Sequence, residues 1–397
     1  MMARRRRRLP ERAWRPGPGL AAAIAVALLA APARAAAAPY TPASDEEIVE
    51  RLRERPLEPA DRELRTLRQA LRAEPRRLAL AVAVAQHCIG IARRDGDPRY
   101  LGYAQAALSP WWSEAAPPVM ARLMKATILQ SVHEFDAAVV ELDAVLQEDP
   151  ANVQAWFTRA SIEQVRGEYP KAERDCARVR DLGARVHGSA CLAELRSLSG
   201  HDQEAEQALQ GLLRENPDQV AWLSLVAAEL AERRGDVRTA EQRYRASLAA
   251  ASDAYAKGAW ADFLLDRHRY DEVIALLLPE QRVDALLLRL ALAFQGRADP
   301  RRDDAVAALQ GRFDAARLRG DTVHQREEAR FELHLRHRPE VAAGLAQRNW
   351  AVQREPADLR ILLEAARAAH RVDLMDSARA FVVATGIDDV RLSPTAR

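Results

Sequence analysis

His334-Leu335-Arg336-His337 is the stretch of this chain best suited to metal chemistry. Two histidines three residues apart share one helix face, and Glu332 and His324 lie nearby. Imidazoles hold a metal when several ligands converge, but Arg336 sits between the pair and spacing fixes no third ligand. The spacing therefore favours a solvated helix end. Other chemistry is thinner still: the sequence has no glycine-rich phosphate loop, no Gly-x-Ser-x-Gly elbow and no His-Glu-x-x-His zinc helix. Carboxylates recur at helical spacing over 202–206 and 229–232, where charge runs ordinarily mark solvated faces. Trp111-Trp112, between Pro110 and Pro117-Pro118, would suit stacking on a sugar or a partner, although large aromatics more often plug an irregular turn. No catalysis and no cofactor is expected.

Three cysteines, Cys88, Cys176 and Cys191, are too few and too scattered for a disulfide framework or a zinc site. Cys176 and Cys191 lie at nearly equal chain distance from a turn near Gly183. Two antiparallel helices meeting there would set them side by side, and a bridge then requires Cα atoms within about 7 Å. Cys88 would remain a buried free thiol.

Arg4 to Arg8, an apolar stretch from Leu20 to Ala31 and Ala33-Arg34-Ala35 follow one another as charged, apolar and small-residue regions. That is the layout of a secretory signal, with cleavage expected after Ala35. A spanning helix needs about 20 apolar residues, and Pro32 and Arg34 interrupt this run well short of that. A retained membrane anchor is the lesser alternative, and no stable membrane insertion is expected after cleavage. Residues 1–35 hold eight Arg and one Glu, so of the whole-chain charge of +2 the remainder carries about −5. A mildly acidic chain with mixed Arg and Glu lacks the basic face on which nucleic-acid binding rests. Lys occurs only at 125, 171 and 257 while Arg and Ala abound, as in GC-rich bacterial genomes, which makes the periplasm the expected destination.

The elements that carry all this repeat. Ala138, Ala172, Ala205, Ala240 and Val273 follow one another at steps of 34, 33, 35 and 33 residues, and twelve residues before each lies Ala126, Ala160, Ala193, Ala228 or Ala261. Such pairs suit helical hairpins, because small side chains let two backbones approach where helices cross. Turns fall between the pair members at Gly167-Glu168, Gly200-His201 and Gly235-Asp236, and units end at Asp149-Pro150 and Asn216-Pro217.

On these residues the chain resembles the tetratricopeptide repeat (TPR) family, whose unit is 34 residues long. The clearest copy runs over 153–186, with Trp156, Ala160, Gly167, Tyr169 and Ala172 at the signature places. The resemblance implies an all-α, right-handed superhelical solenoid of antiparallel helix hairpins. The expected organisation is a signal peptide over 1–35, a leader and helical cap over 36–81, repeats over 82–282 (clearest over 119–282), degenerate helical repeats over 283–387 and a tail over 388–397. Each hairpin should bury its apolar face against the next.

In that family the first helices of successive hairpins line a concave groove that holds partners. The resemblance assigns Phe157, Ser161, Gln164, Glu194, Trp222, Glu229, Glu232, Tyr255, Asp262 and Asp266 to that groove. Aromatics set among carboxylates would suit an extended or helical protein segment with basic residues. Phe157 and Ser161 stand where some members carry a Lys and Asn clamp for C-terminal carboxylates, so that activity is not implied. The expected function is a periplasmic protein-binding scaffold or adaptor. The alternatives are a carbohydrate or cell-wall binder, for which Trp111 and Trp112 are the feature to test, and an assembly factor anchored by an uncleaved N-terminal segment.

Overall fold

The computed structural model describes Ser44, residues 59–321 and residues 323–392. The export-signal reading of 1–35, most of the leader and the end of the tail lie outside the described residues. The chain divides into Met1–Pro56 and Leu57–Arg397, and every helix below belongs to the second unit.

Among the described residues all regular elements are helical. A first helix α1 (Pro59–Ala73) is followed by nine hairpins. They are α2 (Leu78–Asp95) with α3 (Arg99–Ala107) and a one-turn α4 (Ser109–Trp112), α5 (Val119–Ser131) with α6 (Phe135–Glu148), α7 (Val153–Val165) with α8 (Tyr169–Asp181), and α9 (Arg185–Leu198) with α10 (Asp202–Glu215). There follow α11 (Val220–Arg233) with α12 (Val237–Ala250), α13 (Ala254–Leu265) with α14 (Tyr270–Leu277), and α15 (Asp284–Gly296) with α16 (Arg301–Leu318). The last two are α17 (Gln325–Arg330), continued as a π-helix over Phe331–Leu335, with α18 (Pro339–Val352), and α19 (Pro356–Ala368) with α20 (Val372–Thr385). The fold is an all-α solenoid of TPR-like hairpins.

The small residues twelve apart sit at the crossings: Ala126 and Ala138, Ala160 and Ala172, Ala228 and Ala240, and Ala261 and Val273 have no exposed surface. A larger side chain at any of them would force the helices apart. Every hairpin also turns through one residue in the left-handed region. Gly96, Gly167, Gly200 and Gly235 serve four hairpins; His133, His268, Ala298, His337 and His370 serve the other five, with φ between 53° and 63°. Most of these turns close with the same bond, in which the amide after the left-handed residue donates to the carbonyl five residues back, as in Glu134 to Leu129, Glu168 to Glu163 and Asp236 to Ala231 (2.8–2.9 Å). That bond satisfies a carbonyl the helix end leaves free.

The expectation that each hairpin packs only on its neighbours is overturned. One apolar core joins Ala160, Tyr169 and Ala172 of the third hairpin to Leu345, Trp350, Leu359 and Ala378 of the eighth and ninth. The amide of Arg354 donates to the carbonyl of Val165 at 2.7 Å, and Gln353 meets the His133 ring at 3.0 Å. A Cβ added at Gly167 would stand 2.6 Å from Phe381, and one at Gly96 2.8 Å from Val283. Glycine is needed at both places for the close approach as well as for the turn. The array thus winds back on itself, and the first helices of hairpins three to nine enclose a common space.

Candidate functional site

That space is a cavity of about 490 Å³, and the first helices of hairpins three to nine all contribute to its wall. Seven of the ten residues assigned to the groove line it: Gln164, Glu194, Glu229, Glu232, Tyr255, Asp262 and Asp266. The other three lie beside it. Phe157 meets the His187 ring edge-on (centroids 5.8 Å apart), and Trp222 stacks on the same ring at 5.2 Å, forming an aromatic row along α7, α9 and α11. Ser161 donates to its own helix at Phe157 O (3.0 Å), which occupies the one donor of its hydroxyl.

The carboxylates are not free as a class. Asp262 accepts from Arg289 Nη2 (2.6 Å) and Arg330 Nη2 (2.9 Å). Asp266 is gripped by both terminal nitrogens of Arg360 (2.6 and 2.7 Å), ninety-four residues away. Glu232, expected at the surface, is 3% exposed: Tyr244 Oη donates to it at 2.7 Å, and Arg391 from the chain's last described turn approaches to 3.4 Å. The protein itself thus supplies cations to three positions assigned to a basic partner. The sequence reading missed these arginines because they lie in the irregular late units, yet Arg330 and Arg360 fall on first helices and continuing the repeat register would have found them.

Glu194 and Glu229 differ from these. Among the described residues no ion pair reaches either one; Glu194 accepts from Gln164 Nε2 (2.7 Å) and Glu229 from Tyr255 Oη (2.8 Å). Burial, reinforced by repulsion from Glu194 and opposed by Arg233 and the tyrosine hydroxyl, pushes Glu229 up to about 7. Burial likewise raises Glu194, against Arg233 and Gln164. Glu355, beside them, is pushed up to about 7 by burial and by Asp358, against Arg326. Elsewhere the arginines prevail over the same burial: Arg326 and Arg289 hold Glu327 down to about 2, and His334 and Arg360 hold Glu364 there as well. The cavity is therefore polarised: arginines ion-pair the carboxylates on one side, while Arg233 tempers Glu194 and Glu229 without an ion pair to either among the described residues.

Tyr255 stands at the opening. Its residue surface is 61% exposed while its hydroxyl is fixed on Glu229, so the ring is open to contact from the cavity mouth.

The remaining assigned residues are placed as follows. His334 Nε2 lies 3.1 Å from Glu364 and lines the cavity, while His337 takes the left-handed turn before α18. The two do not share a ligand position, and among the described residues no group of three or more His, Cys, Asp or Glu is placed to hold a metal ion. Cys176 and Cys191 are bridged, with Cα atoms 5.8 Å apart, and Cys88 is a buried free thiol. Trp111 is 7% exposed, and Lys125 covers the Trp112 ring at 5.5 Å while donating to the Trp112 carbonyl. The pair offers no open platform for a sugar.

No family model matches the chain. A tetratricopeptide repeat and J domain-containing co-chaperone of the fungus Fusarium oxysporum f. sp. lycopersici is 33% identical over 133 residues, 33% of this chain and 25% of the relative. The chain thus matches about a quarter of that protein's length. Among solved structures, a tetratricopeptide repeat protein from Parabacteroides merdae is similar at 16% identity, with 71% of this chain and 98% of that one covered and a TM-score of 0.33. Human IFIT1, solved as a dimer with m7Gppp-AAAA, is similar at 13% identity, with 82% and 86% covered and a TM-score of 0.45.

Proposed function

We propose that this chain is a non-catalytic scaffold that holds a protein partner at the inner face of its helix array, through the cavity mouth marked by Glu229 and Tyr255. The observation that carries the reading is the large, exposed aromatic ring held by a hydrogen bond to a carboxylate that makes no ion pair among the described residues. Rigid aromatics at the centre of a concave surface are where binding energy concentrates. The matched co-chaperone, with its TPR array, supports a binding rather than a catalytic role.

Size narrows the partner. The cavity, about 490 Å³, has room for an extended end or one or two inserted side chains, with the aromatic row of Phe157, His187 and Trp222 as a flanking contact.

Export to a bacterial periplasm belongs to the same proposal. It is supported by the order of charged, apolar and small residues over 1–35 and by the Cys176–Cys191 bridge, since disulfides persist in oxidising compartments. The matched relative is fungal, so the bacterial origin rests on composition. Cell fractionation with mass analysis of the mature N-terminus tests this part, and an intact residue 1 in the membrane fraction would favour the anchored alternative.

The scaffold reading is tested by affinity capture from native extract with the wild-type chain and with Tyr255→Ala and Glu229→Arg variants of equal helicity. A partner held by the wild type and released by both variants supports it. A partner that survives both changes removes the cavity mouth from the binding surface.

A further inference from the structure

The cation-poor side of the cavity carries more than a general docking role. Glu194 and Glu229 are each hydrogen-bonded by a neutral group and reached by no arginine ion pair among the described residues. Glu355 shares its arginine, Arg326, with Asp358 and Glu327. All three glutamates line the same cavity and act on one another electrostatically. Arg233 lies near enough to temper them, but its own bond is to Ser197.

A second observation is independent of the acidic group. Tyr169, only 6% exposed, is one of the residues lining the cavity, and its buried hydroxyl has no hydrogen-bond partner among the described residues. A buried hydroxyl left unmatched is destabilising, and such a group in a native cavity is a place for something that donates or accepts. The Tyr255 ring adds an exposed π-face at the same opening, and such a face attracts cations.

We propose that the pocket between Glu194, Glu229, Glu355, Tyr169 and Tyr255 binds a primary ammonium group, delivered either by a small free amine or by the lysine side chain of an inserted protein segment. An ammonium carries three N–H donors and no acceptor, which matches carboxylates plus a phenolic oxygen. Among the described residues no group of three or more His, Cys, Asp or Glu is placed to hold a metal ion. A phosphate or carboxylate ligand would meet the acidic side. The ammonium would give Glu194 and Glu229 the ion-pairing cation that Asp262 and Asp266 already receive from Arg289, Arg330 and Arg360. Only the second source of ammonium depends on the scaffold reading; the pocket does not.

The test is isothermal titration calorimetry on the full chain with four probes: n-butylamine, 1,4-diaminobutane, Nα-acetyl-lysine methylamide, and n-butanol as the uncharged control. Saturable one-to-one binding of an amine, at least tenfold tighter than n-butanol and weakened at least tenfold by Glu194→Gln with Glu229→Gln, is expected. Tyr255→Ala, at an exposed ring where refolding is not at stake, should weaken it severalfold. Preference for the lysine amide assigns the ammonium to a partner, and preference for the alkylamines assigns it to a free metabolite. Equal response to n-butylamine and n-butanol, no binding of any amine, or binding indifferent to the glutamate changes overturns the proposal. If amines bind and captured partners ignore the cavity variants, the scaffold reading fails while the pocket stands.

Discussion

Replacing Asp262 by asparagine removes one charge from the point where the array is tied across its own interior. Asp262 on α13 accepts from Arg289 on α15 and from Arg330 on α17, sixty-eight residues away. The three side chains are largely enclosed, at 27%, 11% and 21% exposure. At an effective permittivity near 20, two unit charges about 4 Å apart attract by about 4 kcal/mol. Desolvation of three charges takes back much of the gain from two such pairs, but removing one partner strands the others, which typically costs 3–5 kcal/mol. The partial exposure of Asp262, at 27%, places Asp262→Asn at the low end, about 3 kcal/mol. Urea unfolding at pH 7 reads the global loss, and hydrogen exchange over 254–265 and 325–335 shows whether the opening is local. Burial alone would raise the Asp262 carboxyl; Arg289 and Arg330 reverse that and hold it well below the usual carboxylate range. Its contribution is therefore complete above the ordinary aspartate value near 4 and declines as pH falls below it, by about 1.4 kcal/mol per pH unit. The wild-type advantage over Asp262→Asn must shrink in the same window. A loss under about 1 kcal/mol, or protection over 325–335 that does not change, would refute the assignment of closure to this node.

Glu229→Gln should act in the opposite sense: with a folded-state value of about 7 against about 4.3 unfolded, the wild type loses stability as pH rises between the two. The variant gains about 1 kcal/mol at pH 8 after discounting for cavity water and nothing at pH 4, measured by thermal unfolding. Gly167→Ala combines a φ of 75° with a Cβ 2.6 and 2.8 Å from the Phe381 ring. It should cost about 2–4 kcal/mol, against about 1 kcal/mol for Gly183→Ala, where the backbone is left-handed but the space is open. Equal midpoint shifts for the two would contradict the packing of the ninth hairpin on the third. Cys176→Ser with Cys191→Ser opens a fifteen-residue loop and should lower stability by about 3 kcal/mol, matched by reductant acting on the wild type and absent when reductant acts on the variant.

How much of this was legible depends on range. The small-residue pairs and the glycine turns recur with the period, so the hairpins and their crossings could be read from Ala126 to Val273. Turns at His133, His268 and His370 were not, because no glycine marks them and histidine, though it tolerates positive φ better than most residues, is no turn signal by itself. The return of the array on itself left no local trace: Arg354 meeting Val165 and Arg360 meeting Asp266 depend on how far each unit rotates against the last. For the same reason Glu232, placed at the surface by repeat position, is covered by Tyr244 and Arg391. The inner-face register was readable and gathered seven of its ten residues into one cavity; which carboxylates are already neutralised was not, since the arginines come from units with degenerate repeats.

The central claim, that a partner engages the cavity mouth, is tested most directly by blocking the mouth. Tyr255→Cys in a Cys88→Ser background, with Cys176 and Cys191 left bridged, gives one reactive thiol at the opening, and Leu318→Cys, at a residue 90% exposed, gives one on the helix α16 away from the cavity lining. Each is coupled to a bulky maleimide and assayed for capture of the partner held by the unmodified chain. The block at 255 should abolish capture and the block at 318 leave it intact; undiminished capture with the mouth blocked would remove the mouth from the binding surface.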